Sequence, residues 1–163
     1  MKRRYDADHV RERIASLRAV VPELVMSADV MVGFPTETQE QYLDTEQMLQ
    51  DIEVAFPHVF SYSERSGTPA ARIPQGKQVP VVERKERNLR LRQSVEEMQH
   101  NLRHSKIGMS AWVLPEKTAK KHGFTVCRAE DYLAVLVPSE KAELGKWLKV
   151  TYKSVEDGFM VAE

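Results

Sequence analysis

The first part of the chain alternates between helical and extended apolar patterns. One apolar face recurs at spacings of four, three and four residues, which indicates a helix, and it consists of Val10, Ile14, Leu17 and Val21. Apolar runs at 26–32 and 54–62 predict two strands. Between them, Thr38 and Gln41 have the spacing of a capping box and predict the start of a second helix. Such alternation indicates parallel βα units.

These βα units are incomplete by themselves. Two parallel strands do not make a stable α/β domain, because each of them would be an edge strand. Residues 1–80 are therefore expected either to belong to a larger α/β domain or to gain strands from elsewhere.

A long helix and a series of short strands are predicted after residue 80. Residues 81–106 place apolar residues at helical spacing in a charged sequence, and Lys and Arg outnumber Asp and Glu there, so we expect a helix between two domains. From 107 to 163 the pattern changes to five short extended runs separated by turn residues such as Gly123 and Pro138. Five such strands predict a small barrel of the oligonucleotide-binding kind.

Composition narrows the class of protein. The 24 basic and 24 acidic residues give a formal net charge of zero, so the whole-chain charge shows no sign of a nucleic-acid-binding tail. The only cysteine is Cys127, which excludes an internal disulfide framework and a self-sufficient iron–sulfur cluster. No apolar run approaches the roughly 20 residues of a membrane helix, and a cytoplasmic location is expected.

Three motifs and the C-terminal pattern carry a resemblance to a known family. They are Met-Lys-Arg-Arg-Tyr at 1–5, Ala-Asp-Val-Met-Val-Gly-Phe-Pro-Thr-Glu-Thr at 28–38, and His-Val-Phe-Ser-Tyr-Ser-Glu-Arg-Ser-Gly-Thr-Pro-Ala-Ala at 58–71. Together they resemble the radical S-adenosylmethionine methylthiotransferases. The chain is most similar to the branch that methylthiolates threonylcarbamoyladenosine beside the tRNA anticodon. The isopentenyladenosine and ribosomal-protein branches match less well.

The resemblance implies a fold and a position within a longer enzyme. Residues 1–80 would be the C-terminal part of a radical-SAM (β/α) barrel, 81–106 a connecting helix, and 107–163 a TRAM-like RNA-binding β-barrel. The cofactors implied are S-adenosylmethionine and 4Fe–4S clusters. The family's CxxxCxxC cluster ligands lie outside this chain, so no catalytic residue and no metal ligand is assigned here, and the chain alone is expected to be inactive. The implied partners are the tRNA anticodon stem-loop and the missing N-terminal portion of the enzyme, with no membrane.

The resemblance also implies cofactor-binding residues at the ends of both strands. They are Val32, Gly33, Phe34, Pro35, Glu37 and Tyr62. From the spacing alone, an ordinary strand-to-helix turn is the simpler interpretation, although ligands bind at this edge in αβ barrels. Thr36 stands where the family usually has glycine, and threonine fits there only if the backbone is neither left-handed nor crowded by ligand.

Basic residues and their neighbours are the candidates for RNA contact. They are Arg3, Arg4, Arg65, Thr68, Lys120, Lys121 and Arg128. Solvated surface positions are the alternative for the first four, and Phe124 and Tyr132 beside the later ones are candidates for the barrel core. The arginines of the predicted helix at 81–106 are either an RNA footprint or a solvated face. A stand-alone RNA-binding adaptor and an inactive fragment are the alternatives to an enzyme part.

Overall fold

The computed structural model describes residues 4–163, and the chain divides into two compact units, Met1–Met98 and Gln99–Glu163. The described part of the first unit contains α1 (Ala7–Val20), β1 (Ser27–Val32), α2 (Gln39–Asp51) and β2 (Phe56–Ser61), followed by two short 3-10 helices, Ala70–Arg72 and Gln75–Lys77. Helix α3 (Val81–Ser105) begins in the first unit and ends in the second. The second unit continues with β3 (Ser110–Thr118), β4 (Phe124–Ala129), β5 (Ala134–Pro138), β6 (Leu148–Glu156) and β7 (Phe159–Ala162). The prediction of a mixed α/β chain is confirmed.

In the first unit, β1 and β2 form a parallel two-stranded sheet. Val30 lies opposite Val59 in the register. One face of the sheet packs against the helices in a core of Ile14, Val30, Val32, Tyr42, Leu49, Ile52, Val54, Val59 and Leu91. Met31 and Phe60, which pair in the register, lie exposed on the other face. The sheet is thus covered on one side only.

Helices α1 and α2 each begin after a residue whose side chain accepts a backbone hydrogen bond, and the predicted capping box of α2 is present. The Asp6 side chain accepts a hydrogen bond from the His9 N–H at 2.9 Å. Both bonds of the capping box are present, since the Thr38 hydroxyl accepts from Gln41 N (3.2 Å) and the Gln41 side chain accepts from Thr38 N (3.1 Å). These contacts satisfy N–H groups that a helix leaves unpaired at its start.

Helix α3 covers the outer edge of β2. Because the N–H groups of Phe56 and Tyr62 point toward β1, the carbonyl of Val59 points to the opposite edge. That carbonyl accepts hydrogen bonds from Asn88 Nδ2 (3.1 Å) and Arg92 Nη2 (3.3 Å) of α3. The helix thereby satisfies an edge carbonyl that would otherwise invite another strand.

The second unit is a closed five-stranded barrel in the order β3-β4-β5-β7-β6. Its fully buried side chains include Val113, Val135, Tyr152 and Met160. The five predicted strands are all present. Strands β3 and β6 are the longest of the five, with nine residues each, and both contain a register shift of the kind that bulges produce. Across residues 4–163, no helix is long and apolar enough to cross a membrane.

Candidate cofactor-binding edge

The turn after β1 is built around Gly33. Its φ angle of 71° lies in the left-handed region, and a Cβ atom added there would lie 2.3 Å from Cγ of Arg84. Both constraints require glycine. The neighbours Val32 and Pro35 are fully buried, and Phe34 is half-buried. The α3 side chain therefore packs directly against the backbone at the carboxyl end of β1.

Thr36 corrects one expectation from the sequence. Its φ angle is 75°, so the idea that threonine stands here only if the backbone is not left-handed is wrong. The conformation is fixed by backbone bonds on both sides, from Thr36 N to Lys77 O and from Glu37 N to Phe34 O, each 2.9 Å. The side chain is exposed, so the threonine carries backbone strain without a steric clash.

Glu37 and Arg87 form a buried charge pair that holds the same turn. Oε2 of Glu37 accepts from the Gly33 N–H and from Arg87 Nη1, the latter at 2.7 Å. Arg87 is only 4% exposed and is also paired with Glu83 one turn earlier in α3. Buried charges persist only when they are paired. Glu37, predicted to contact a cofactor, has its carboxylate directed into the protein.

Tyr62 stands at the corresponding end of β2. Its ring packs edge-on against Phe34, with centroids 5.5 Å apart. The Arg84 guanidinium lies 5.1 Å from the centre of the Tyr62 ring and donates to the carbonyls of Tyr62 (3.1 Å) and Val79 (2.7 Å). One arginine thus connects the ends of both strands.

The hydroxyl of Tyr62 is buried and has no hydrogen-bond partner among the described residues. A buried hydroxyl without a partner costs about 1–3 kcal/mol. In a native structure, a buried polar atom without a partner indicates a bound group that supplies the missing hydrogen bond. The Tyr62 hydroxyl is therefore a hydrogen-bonding group near the strand ends that no described residue uses.

An iron–sulfur cluster does not fit the residues of this chain. Within residues 4–163, no group of three or more His, Cys, Asp or Glu side chains could hold a metal ion. Cys127 lies buried in β4. Burial and the Glu116 carboxylate raise the pKa of its thiol to about 11. Since the thiolate is the form that binds metal, this thiol is a poor ligand at neutral pH.

The candidates for RNA contact in the first unit have different surroundings. Arg3 lies outside the described residues, and Arg4 and Arg65 are exposed. The hydroxyl of Thr68 donates to Arg65 O (2.8 Å) and accepts from Ala71 N (3.2 Å). This hydroxyl therefore shapes the loop that follows β2.

In the second unit, two of the three predicted RNA contacts are already paired with carboxylates. Lys121 pairs with Glu156, and Arg128 pairs with Glu116 at 3.4 Å. Lys120 is exposed and forms no ion pair within the described part of the chain. Phe124 is half-buried under the Lys121 ammonium, 4.8 Å from the ring centre. Tyr132 is 74% exposed, so its interpretation as a core residue is wrong.

Sequence reasoning missed the role of the arginines in α3. Arg84 and Arg87 are neither an RNA footprint nor a solvated face, because both bind groups at the strand ends. Arg90 likewise pairs with Glu46 at 2.8 Å. The spacing of Glu83 and Arg87 was the available signal, although a pair four residues apart is equally typical of an exposed helix.

Sequence comparisons identify curated enzymes that are similar to this chain. No family model matches the chain. The threonylcarbamoyladenosine tRNA methylthiotransferase MtaB of Rickettsia prowazekii is 37% identical over 162 residues, which is 98% of this chain and 36% of the relative. The tRNA-2-methylthio-N(6)-dimethylallyladenosine synthases of Dichelobacter nodosus and Roseobacter denitrificans are 32% and 33% identical, each over 92% of this chain and 33% of the relative.

The names of all three relatives describe enzymes of tRNA methylthiolation. The chain belongs to the methylthiotransferase family. It spans about a third of the length of these curated relatives.

Proposed function

We propose that the chain is the C-terminal part of a cytoplasmic tRNA methylthiotransferase that acts on threonylcarbamoyladenosine beside the anticodon. The observation that carries this proposal is the 37% identity to the Rickettsia MtaB along 98% of the chain. Residues 1–80 would complete a radical-SAM barrel, 81–106 would connect, and 107–163 would be the TRAM module that binds the tRNA anticodon stem-loop. The upstream part of the same enzyme would supply the cluster ligands.

In this proposal, the ends of β1 and β2 line the S-adenosylmethionine site. Gly33 and Pro35 shape the turn, since Gly33 leaves room for the Arg84 side chain. Phe34 gives an apolar wall, and the unpaired hydroxyl of Tyr62 offers a hydrogen bond. Glu37 acts through the turn, because its carboxylate binds the Gly33 N–H. S-adenosylmethionine and a cluster held by the upstream part of the enzyme would supply the radical chemistry at the adenosine.

The nucleoside preference is tested with the intact enzyme that carries this chain. The enzyme is reconstituted anaerobically with iron and sulfide and given S-adenosylmethionine with two tRNAs. One tRNA carries threonylcarbamoyladenosine and the other carries dimethylallyladenosine. Mass spectrometry of the nucleosides should find the methylthio group on threonylcarbamoyladenosine only. Methylthiolation confined to dimethylallyladenosine would contradict the proposed nucleoside and would assign the enzyme the substrate named for the Dichelobacter and Roseobacter relatives.

A second candidate function is RNA binding without catalysis. The observation that favours it is the closed barrel of the second unit, which leaves no open sheet edge and needs no further strand. The chain alone should then bind tRNA with an affinity that falls steeply as salt rises. If deletion of the gene abolishes the methylthio nucleoside in cells, the adaptor alternative fails.

A further inference from the structure

Both tryptophans of the chain lie at the surface of the second unit. Trp112 is 47% exposed and Trp147 is 56% exposed, and the sequence contains no other tryptophan. A tryptophan exposes a large apolar ring, so two half-exposed rings in one small barrel point to a binding surface.

The barrel register places these rings near a lysine. Trp112 of β3 lies directly opposite Lys149 of β6, and directly opposite residues share one face of a sheet. Ala111 and Val113, on either side of Trp112, are buried, so this face is the outer one. Trp147 directly precedes β6.

A third ring belongs to the same side of the barrel. The carbonyl of Trp112 accepts from Glu130 N at 3.2 Å, which brings the turn between β4 and β5 beside β3. Tyr132 of that turn is 74% exposed and has a φ angle of 68°. The fold therefore presents an aromatic ring to solvent from a strained backbone position. We call Trp112, Tyr132, Trp147 and Lys149 the aromatic face.

The separate exposed rings and the cation of the aromatic face favour a nucleic acid as its partner. Lys149 forms no ion pair in the described part of the chain. The carboxylates Glu116 and Glu143 are each paired with a cation, Arg128 and Lys146. Glu130, whose N–H donates to the Trp112 carbonyl, is exposed and forms no ion pair within residues 4–163. Separate rings beside an unpaired cation match single-stranded nucleic acid, in which bases stack on aromatic side chains and phosphates meet basic ones.

We propose that the aromatic face is where unpaired bases of the RNA substrate stack, with Lys149 contacting a phosphate. This inference rests on the proposed tRNA-binding function and assigns it to side chains other than Lys120, Lys121 and Arg128. Duplex RNA hides its base faces, so the aromatic face should select unpaired nucleotides.

Tryptophan fluorescence tests the inference directly, because both tryptophans belong to the aromatic face. The 163-residue chain is titrated with a single-stranded RNA of eight nucleotides and with a blunt duplex of eight base pairs. The single strand should quench the fluorescence saturably and bind more tightly than the duplex. Trp112→Ala should weaken single-strand binding about tenfold, whereas Trp112→Phe should keep most of the affinity because it retains a ring.

A second pair of variants separates charge from stacking. Lys149→Ala should lower the slope of binding against salt concentration by about one counterion, while Trp112→Ala should leave the slope unchanged. Lys141→Ala, an exposed lysine of the β5–β6 connection, is the matched control for the loss of a charge and should have less effect than Lys149→Ala. Far-UV circular dichroism of each variant checks that it is folded.

Three results would overturn the aromatic face as the RNA surface, and a fourth would also overturn the proposed tRNA contact. Unchanged affinity in folded Trp112→Ala and Trp147→Ala variants overturns the aromatic face as the RNA surface, while tRNA binding by the chain stands. Equal binding of duplex and single strand without quenching also overturns it. The same holds if the upstream part of the enzyme shifts the tryptophan emission and the variants lose affinity for that part instead of RNA. A chain that binds neither these RNAs nor tRNA would remove the proposed tRNA contact as well.

Discussion

Two residues in the turn after β1 have left-handed backbone angles, and only one of them is glycine. Gly33 meets both a positive φ angle and the Arg84 side chain, whereas Thr36 meets only the positive φ angle. The two positions therefore separate backbone strain from steric crowding. We expect a substitution of Gly33 to lower the free energy of unfolding and a substitution of Thr36 by glycine to raise it.

Gly33→Ala should destabilise the first unit by about 2–4 kcal/mol, since strain at a positive φ angle adds to overpacking against Arg84. Gly67→Ala is the matched control. Gly67 also has a positive φ angle, but no atom lies within 4 Å of its added Cβ, so we expect a cost of only about 1–2 kcal/mol. Urea unfolding followed by far-UV circular dichroism measures both. Equal costs would show that the Arg84 contact is not tight.

Thr36→Gly should raise the free energy of unfolding by up to about 1 kcal/mol, because glycine removes the left-handed strain at some cost in chain entropy. Thr45→Gly within α2 is the control and should lower stability by a similar amount. The same urea titrations report both changes. A loss of stability in Thr36→Gly would mean that the threonine side chain contributes something beyond its backbone conformation.

At the level of elements, α3 joins the ends of both strands through the half-buried Arg84 and the buried Arg87. Arg87→Met leaves Glu37 buried without its cation and should cost about 3–5 kcal/mol. Arg11→Met removes two ion pairs between exposed side chains, Arg11–Asp8 and Arg11–Asp51, and should cost less than about 1 kcal/mol. Chemical denaturation compares the two. Similar costs would contradict a structural role for the Glu37–Arg87 pair.

Local sequence signals predict the helices and strands, but they predict the contacts between these elements less well. The Thr38–Gln41 capping box and the five short strands of the barrel could be predicted, because caps and turns depend on neighbouring residues. The inward direction of Arg84 and Arg87 could not, since an arginine on a charged helix has the same pattern whether it is solvated or buried. The left-handed Thr36 could not be predicted either, because its backbone N–H bonds to the distant carbonyl of Lys77.

At the scale of the whole molecule, one face of the β1–β2 sheet is uncovered. Parallel sheets normally bury both faces, and Met31 and Phe60 are exposed together here. The chain alone should therefore bind a hydrophobic dye such as ANS. The double variant Met31→Lys/Phe60→Lys should reduce dye binding at least twofold. Val81→Lys, which replaces an exposed residue at the start of α3, should leave it unchanged, and an equal reduction would contradict a specific apolar face.

The most direct measurement of the central claim maps where S-adenosylmethionine lies in the intact, reconstituted enzyme. Ultraviolet light crosslinks radiolabelled S-adenosylmethionine to neighbouring side chains, and peptide mapping locates the label. We predict label within 32–37 or at Tyr62, and its loss in the presence of excess unlabelled S-adenosylmethionine. Label confined to the part of the enzyme upstream of this chain would contradict the assignment of the β1–β2 edge as a wall of the cofactor site.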